Sequence, residues 1–188
     1  MTRATTSTGS TGWGQDNGFG SGLPPARDNA AFYPLIAPRL AAPQLKPAPA
    51  DIAFSRAVFR DLLRIRASSS LFRLTSAEAV QQCLRLHNTG PAQNPVLIAA
   101  ERLGELAGQG TAQRLTGAGF AKLLLLFNVS PVRQVLQVPS TVAHAWVLHP
   151  VLRAGDAADR RAASDAAFDP AQGRFTVPGR TAVVYVLP

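Results

Sequence analysis

An α+β chain is what this sequence predicts: a Gly/Pro-rich loop and one long amphipathic helix, followed by an antiparallel β-sandwich. Three observations carry the prediction. Prolines and glycines crowd residues 1–50, apolar side chains recur at helical spacing from Asp51, and beyond Leu84 the apolar runs are strand-sized and separated by turn residues. At 188 residues, 46% hydrophobic and a mean hydropathy of +0.06, the chain has room for one ordinary domain or two small bordering ones, and it can bury a real core.

The first element is loop. Gly18-Phe19-Gly20-Ser21-Gly22 runs into Leu23-Pro24-Pro25, and Pro38, Pro43, Pro47 and Pro49 follow. Each proline removes a backbone donor, so a regular helix or sheet core is not expected over 1–50. Trp13, Phe19, Phe32 and Tyr33 mark this loop as one that lies on something larger. From Asp51, Phe54, Val58, Leu62 and Ile65 share one helical face while Arg56, Arg60 and Arg64 form an i, i+4 stripe on another. This predicts a helix of about four turns, with Asp51 as its N-cap and its end near Ser68-Ser69-Ser70. The arginine stripe reads as a solvated or acid-paired face. A second, short helix is expected over 76–82, with Thr75 as cap and Glu78 three residues on.

Strands are expected at 96–100, 123–129, 132–138, 145–152, 174–177 and 181–187. Between them stand Ser130-Pro131, Pro139-Ser140, Asp169-Pro170-Ala171-Gln172-Gly173 and Pro178-Gly179, all of them turn chemistry. Leu123-Leu124-Leu125-Leu126-Phe127 does not alternate, so both of its faces should be covered, as in a central sandwich strand. Residues 104–119 and 153–167 read as exposed loops, or as weak helix in the second case. No internal repeat is present.

Several function classes fall away. No apolar run approaches the length of a membrane helix, so no membrane partner is expected, and the Thr/Ser/Gly-rich start lacks the pattern of a secretory signal. A single cysteine, Cys83, excludes an internal disulfide framework and reads as packing. The net charge of +8 is spread along the chain, and its one adjacent arginine pair, Arg160-Arg161, sits among Asp156, Asp159 and Asp165, so no nucleic-acid partner is expected. His87, His144 and His149 have no acidic cluster beside them in sequence and read as structural. Gly18, Gly20 and Gly22 precede prolines rather than a helix, which empties any dinucleotide-fingerprint reading. The eleven carboxylates include no close pair on a predicted strand end. The residues therefore nominate no catalytic, cofactor-binding or metal-binding group.

A resemblance gives these features a context. Gln15-Asp16-Asn17-Gly18-Phe19-Gly20-Ser21-Gly22-Leu23-Pro24-Pro25 resembles the segment after the last catalytic strand of pullulanase-type α-1,6-glucosidases and plant limit dextrinases. In the same order, Phe59-Arg60-Asp61-Leu62-Leu63-Arg64-Ile65-Arg66, Ser69-Ser70-Leu71-Phe72-Arg73-Leu74 and Leu86-His87-Asn88-Thr89-Gly90-Pro91 are similar to that family's helix-to-sandwich junction. Leu148-His149-Pro150 and Gly173-Arg174-Phe175-Thr176-Val177-Pro178-Gly179-Arg180-Thr181 are similar to its closing strands. One departure is Ser70, where the family commonly has proline.

The resemblance implies the end of a hydrolase of α-1,6-glucosidic branch points in starch, glycogen-type glucans or pullulan. Its (β/α)8 barrel carries an aspartate nucleophile, a glutamate acid/base and a second aspartate, and all three lie upstream of the matched segment. The expected organisation is a leader at 1–12, the closing loop and helix of the catalytic barrel at 13–68, and the C-terminal β-sandwich at 69–188. An α-glucan is then a partner only when this part is joined to the catalytic one, and the chain alone should be inactive. The helix face of Phe54, Val58, Leu62 and Ile65 is expected to be partly exposed and to favour self-association.

The leader departs from the family, which reads Asp-Trp-Phe-Asn-Arg where Thr8-Gly9-Ser10-Thr11-Gly12 stands. A frame shift of one base converts codons for the second series into codons for the first, so 1–12 is expected to be a non-native leader; an ordinary disordered terminus is the alternative. A different class of function also stays open, a non-catalytic β-module that binds α-glucan or caps a partner barrel. Trp13, Phe19, Tyr33 and Trp146 are its stacking candidates, against the commoner role of buried aromatics.

Overall fold

The structure, a computed structural model, describes Leu23 and residues 25–106 and 113–188. The leader 1–12, Trp13, Phe19 and the glycines at 18, 20 and 22 lie outside the described residues. Two compact units are present, Met1–Phe59 and Arg60–Pro188.

The first unit corrects the expectation of loop over 1–50. It contains helices α1 (Ala26–Asn29) and α2 (Tyr33–Ala41), a 3-10 turn at Pro43–Leu45, and the start of the long helix α3 (Pro49–Ala67). Proline placement explains how a helix survives here. Pro34 stands in the first turn of α2, where its absent N–H has no partner to lose, and Pro38 removes only the bond to the carbonyl of Pro34. Helix α3 likewise begins on a proline, Pro49, two residues ahead of the expected cap. Asp51 does not cap it; from the first turn its carboxylate reaches back and accepts from Ala48 N at 2.8 Å, as the second partner of a capping box does. None of the described residues of this unit is buried.

The second unit holds the core. Helix α4 (Ala77–Cys83) is capped by Ser76, whose Oγ accepts from Ala79 N, and not by Thr75. Ten strands follow: β1 (Leu84–His87), β2 (Leu97–Leu103), β3 (Glu105–Leu106), β4 (Gln113–Arg114), β5 (Lys122–Asn128), β6 (Gln134–Gln137), β7 (Val147–Leu148), β8 (Ala167–Asp169), β9 (Arg174–Val177) and β10 (Thr181–Leu187). They form a five-stranded antiparallel sheet ordered β1-β2-β5-β10-β7, a three-stranded one ordered β6-β9-β8, and the β3-β4 hairpin. The chain is thus α+β with antiparallel sheets.

Strand β5 is central, as its unalternating leucines predict, and pairs over seven positions with β2 and with β10. On one face Leu124 lies opposite Tyr185, and Leu126 opposite Val183. Tyr185 meets Phe175 at 5.0 Å and Phe168 at 6.3 Å between ring centroids, so the small sheet packs on this face. The opposite face is closed where Leu123 and Val186 are buried. It is open toward β1 and β2, where Leu86, Ile98 and Phe127 stand exposed. Both faces of β5 are therefore covered except at Phe127. Ile65 and Leu71 join the same buried cluster, with Leu62 packed against it.

The strand expected at 145–152 is corrected. Only Val147–Leu148 pairs, and helix α5 (Pro150–Arg153) starts at once, because His149 is an N-cap whose ring accepts from Val151 N while Pro150 opens the first turn. The segment 153–167 carries the short helix α6 (Arg161–Ser164) with Ala157 and Ala162 buried, and 104–119 contributes β3 and β4, so neither is simply loop. At the closing turn, a Cβ on Gly179 would meet Pro131 O at 2.2 Å, which explains the glycine between Pro178 and Arg180.

Candidate functional site

Polar clusters in the second unit include three built on a buried titratable residue, Glu101, His149 or Asp61. On β2, Glu101 interrupts an otherwise apolar run and is 3% exposed. His87, diagonally across on β1, brings Nε2 to 3.0 Å from one carboxylate oxygen, and Lys122 at the start of β5 brings Nζ to 3.3 Å from the other. Burial alone would raise the Glu101 pKa, but the hydrogen bond from His87 and the Lys122 ammonium outweigh it and hold the carboxyl below its ordinary range. Glu101 is therefore an ionised, paired group, with neither oxygen aimed at an incoming substrate. The signal was a charged residue amid Leu97, Ile98, Ala99 and Ala100; its partners could not be read without the strand register.

The second cluster surrounds His149, which is 2% exposed. Val151 N donates to its Nδ1 at 3.2 Å, so the proton sits on Nε2, which donates to Ser68 Oγ at 3.0 Å; Ser68 Oγ in turn donates to Ile65 O at 2.7 Å. In a nucleophile–base pair the hydroxyl donates to the imidazole. Here the order is reversed, so Ser68 is not activated. Burial, against the edge of the Phe120 ring 5.5 Å away, pushes the His149 pKa down to about 4. His144 is exposed and does not meet it.

In the third cluster Asp61, 5% exposed on α3, accepts from Ala158 N at 2.8 Å and pairs with Arg64 at 3.3 Å, which also lies 3.9 Å from Asp156. The arginine stripe is thus acid-paired at Arg64. Cys83 is buried, and burial pushes its thiol up, away from nucleophilic chemistry. Trp146 is buried rather than presented as a stacking platform. Among the described residues no group of three His, Cys, Asp or Glu could hold a metal ion.

Open grooves occur among the described residues of this unit. One of about 360 Å³ is lined by Gln82, Arg85, Leu103, Glu105 and Lys122 among others, and one of about 220 Å³ lies at the β1–β2 turn beside His87, Asn88 and Asn94. The first has one carboxylate in its wall, Glu105, and the second has none. Hydrolysis of a glycosidic bond between two carboxyl groups has no seat in either.

The family model for the C-terminal region of pullulanase-type α-1,6-glucosidases matches residues 14–188. The chloroplastic pullulanase 1 of Arabidopsis thaliana is 36% identical over 171 residues, covering 90% of this chain and 17% of that protein. A pullulanase of Klebsiella pneumoniae is 29% identical over 123 residues, covering 65% of this chain and 11% of that protein. The apo pullulanase crystal structure from Klebsiella pneumoniae superposes with a TM-score of 0.72 at 24% identity, over 93% of this chain and 18% of that one. The chain therefore spans less than a fifth of these relatives. No helix among the described residues is long and apolar enough to cross a membrane.

Proposed function

The chain belongs to the family of C-terminal regions of pullulanase-type α-1,6-glucosidases, and on that premise we propose that it is the C-terminal part of a glycoside hydrolase that cleaves α-1,6 branch linkages in starch, glycogen or pullulan-type glucans. It is inactive by itself and meets α-glucan only when joined to the catalytic part. One observation carries this reading: the match runs from residue 14 to the end, while the buried carboxylates Asp61 and Glu101 are engaged by a backbone amide and by cations.

Within this reading, 13–68 is the remnant of the catalytic barrel and ends with its closing helix, 69–188 is the C-terminal sandwich, and 1–12 is a non-native leader. The support is chemical. The described part of 25–60 buries nothing, yet it carries Phe32, Leu35, Leu45, Phe54 and Phe59 in exposed positions, as a surface made to be covered does. Left uncovered, the helix face offers a route to self-association. Nucleic acid has no part in the reading.

The test is incubation of the purified chain with pullulan and with a branched limit dextrin. No maltotriose or linear oligosaccharide above the buffer control is expected. Sustained release of maltotriose by a preparation free of other hydrolases contradicts the reading.

A further inference from the structure

We propose that His149 is an acid-sensitive latch: with Nδ1 bare the buried ring caps α5, while its Nε2–H reaches Ser68 just beyond α3, and a proton on Nδ1 uncaps α5 and favours an opened β7–α5 segment while the rest of the sandwich stays folded.

The segment has few other hydrogen-bonded ties, although Leu152 is buried in the core and Leu148 and Val151 pack against it. Strand β7 pairs with β10 at two positions only, Leu148 with Tyr185 and Val147 with Val186, where β5 has seven on each side. One further backbone bond, His149 N to Val184 O at 2.8 Å, continues that edge. The ring supplies the remainder. Its Nδ1 holds the start of α5 through Val151 N, and its Nε2 holds Ser68 just beyond the end of α3. The Val151 contact requires a bare Nδ1, whereas the Ser68 contact requires only Nε2–H and is kept when the ring takes a second proton. A proton on Nδ1 sets N–H against N–H, which uncaps α5.

Among the described residues no carboxylate pairs with the ring, and Ser68 Oγ accepts from Nε2–H without countering the charge. The charged groups nearest in sequence on the elements packed there are Asp61, Arg64 and Arg66 toward the end of α3, Arg153 on α5 and Lys122 near Phe120; β7 carries none, and the one titratable group on β10, Tyr185, is buried and stays neutral, its pKa pushed up to about 12. Asp61 is held by Ala158 N and Arg64, and Lys122 is paired with Glu101. The imidazolium is thus left in a buried, apolar surrounding, a burial that folded proteins avoid. Burial already holds the pKa at about 4 rather than the ordinary 6.5. An opened segment takes up the proton at the ordinary value, so opening becomes easier as pH falls from 6.5 toward 4 and levels off below. One linked proton gives a rise in the opening constant of about tenfold per pH unit within that window.

The experiment is nitrogen-15 NMR of the histidine rings together with amide hydrogen exchange on the whole chain, corrected for the intrinsic pH dependence of exchange. At pH 6.5 the His149 ring should show a bare Nδ1 and a protonated Nε2. Between pH 6 and 4.5 the protection of the Val151 amide should fall about tenfold per unit, while Leu124 and Val183 hold theirs. His149→Asn keeps an oxygen that can cap Val151 but cannot titrate, so its profile should be flat. A ring that titrates near 6.5 with Val151 protection unchanged overturns the proposal, as does His149→Asn keeping the wild-type slope. Where that variant does not fold, ring titration and Val151 exchange in the wild type decide the matter alone.

Discussion

Residues 25–59 and residues 60–188 are both rich in apolar side chains, yet the first stretch buries none of them and the second closes a core around Phe175, Leu123, Leu124 and Leu126. The difference teaches that helix-forming sequence and core-forming sequence are separate properties. Helices α1 and α2 and the start of α3 satisfy their backbone hydrogen bonds locally, with prolines in first turns and Asp51 reaching back to Ala48 N. Their apolar side chains reach half-burial at most, as at Ile36, Leu40, Ile52 and Val58. In the second unit the strands have no local bonds to make, so pairing and burial arrive together.

That contrast can be broken by substitution. The largest loss is expected for Phe175→Ala, because the ring is fully buried and stacks on Phe168 with centroids 4.4 Å apart. A cost of about 3–5 kcal/mol should appear as a lower urea midpoint. Next comes Ile65→Ala, at about 2–4 kcal/mol by the same measurement, since this residue is 2% exposed within the core cluster. The smallest effect sharpens the comparison on a single helix. Phe59, less than two turns before Ile65 on α3, is 61% exposed, and Phe59→Ser should change the midpoint by less than about 0.5 kcal/mol while raising solubility. A Phe59→Ser cost as large as that of Ile65→Ala would erase the distinction between the two halves of the helix.

The sequence made some of this legible and hid the rest for physical reasons. The unbroken Leu123–Phe127 run and the 181–187 run announced paired central strands, and the switch of apolar period marked α3. Helices α1 and α2 were hidden because proline was weighed by count rather than by position in the turn. The expected strand at 145–152 shrinks to β7 because His149-Pro150 caps a helix inside an apolar run, a cap that shows only in the ring's acceptance from Val151 N. The clusters about Glu101 and His149 join residues 14 to 81 positions apart, a distance that no local pattern spans. The family resemblance, by contrast, was legible across nearly the whole chain, and the match over residues 14–188 agrees with it.

The proposal at stake is that residues 25–59 form a surface awaiting a cover, whereas the second unit is held by its own antiparallel sheets and core. Limited proteolysis of the intact chain with a protease of broad specificity, with fragments identified by mass, tests it most directly. The account predicts first cuts before residue 60 and a surviving core that begins near Arg60 and retains β10 at the C-terminus. Early trimming of the strands at 174–187, with 25–59 left intact, would contradict it.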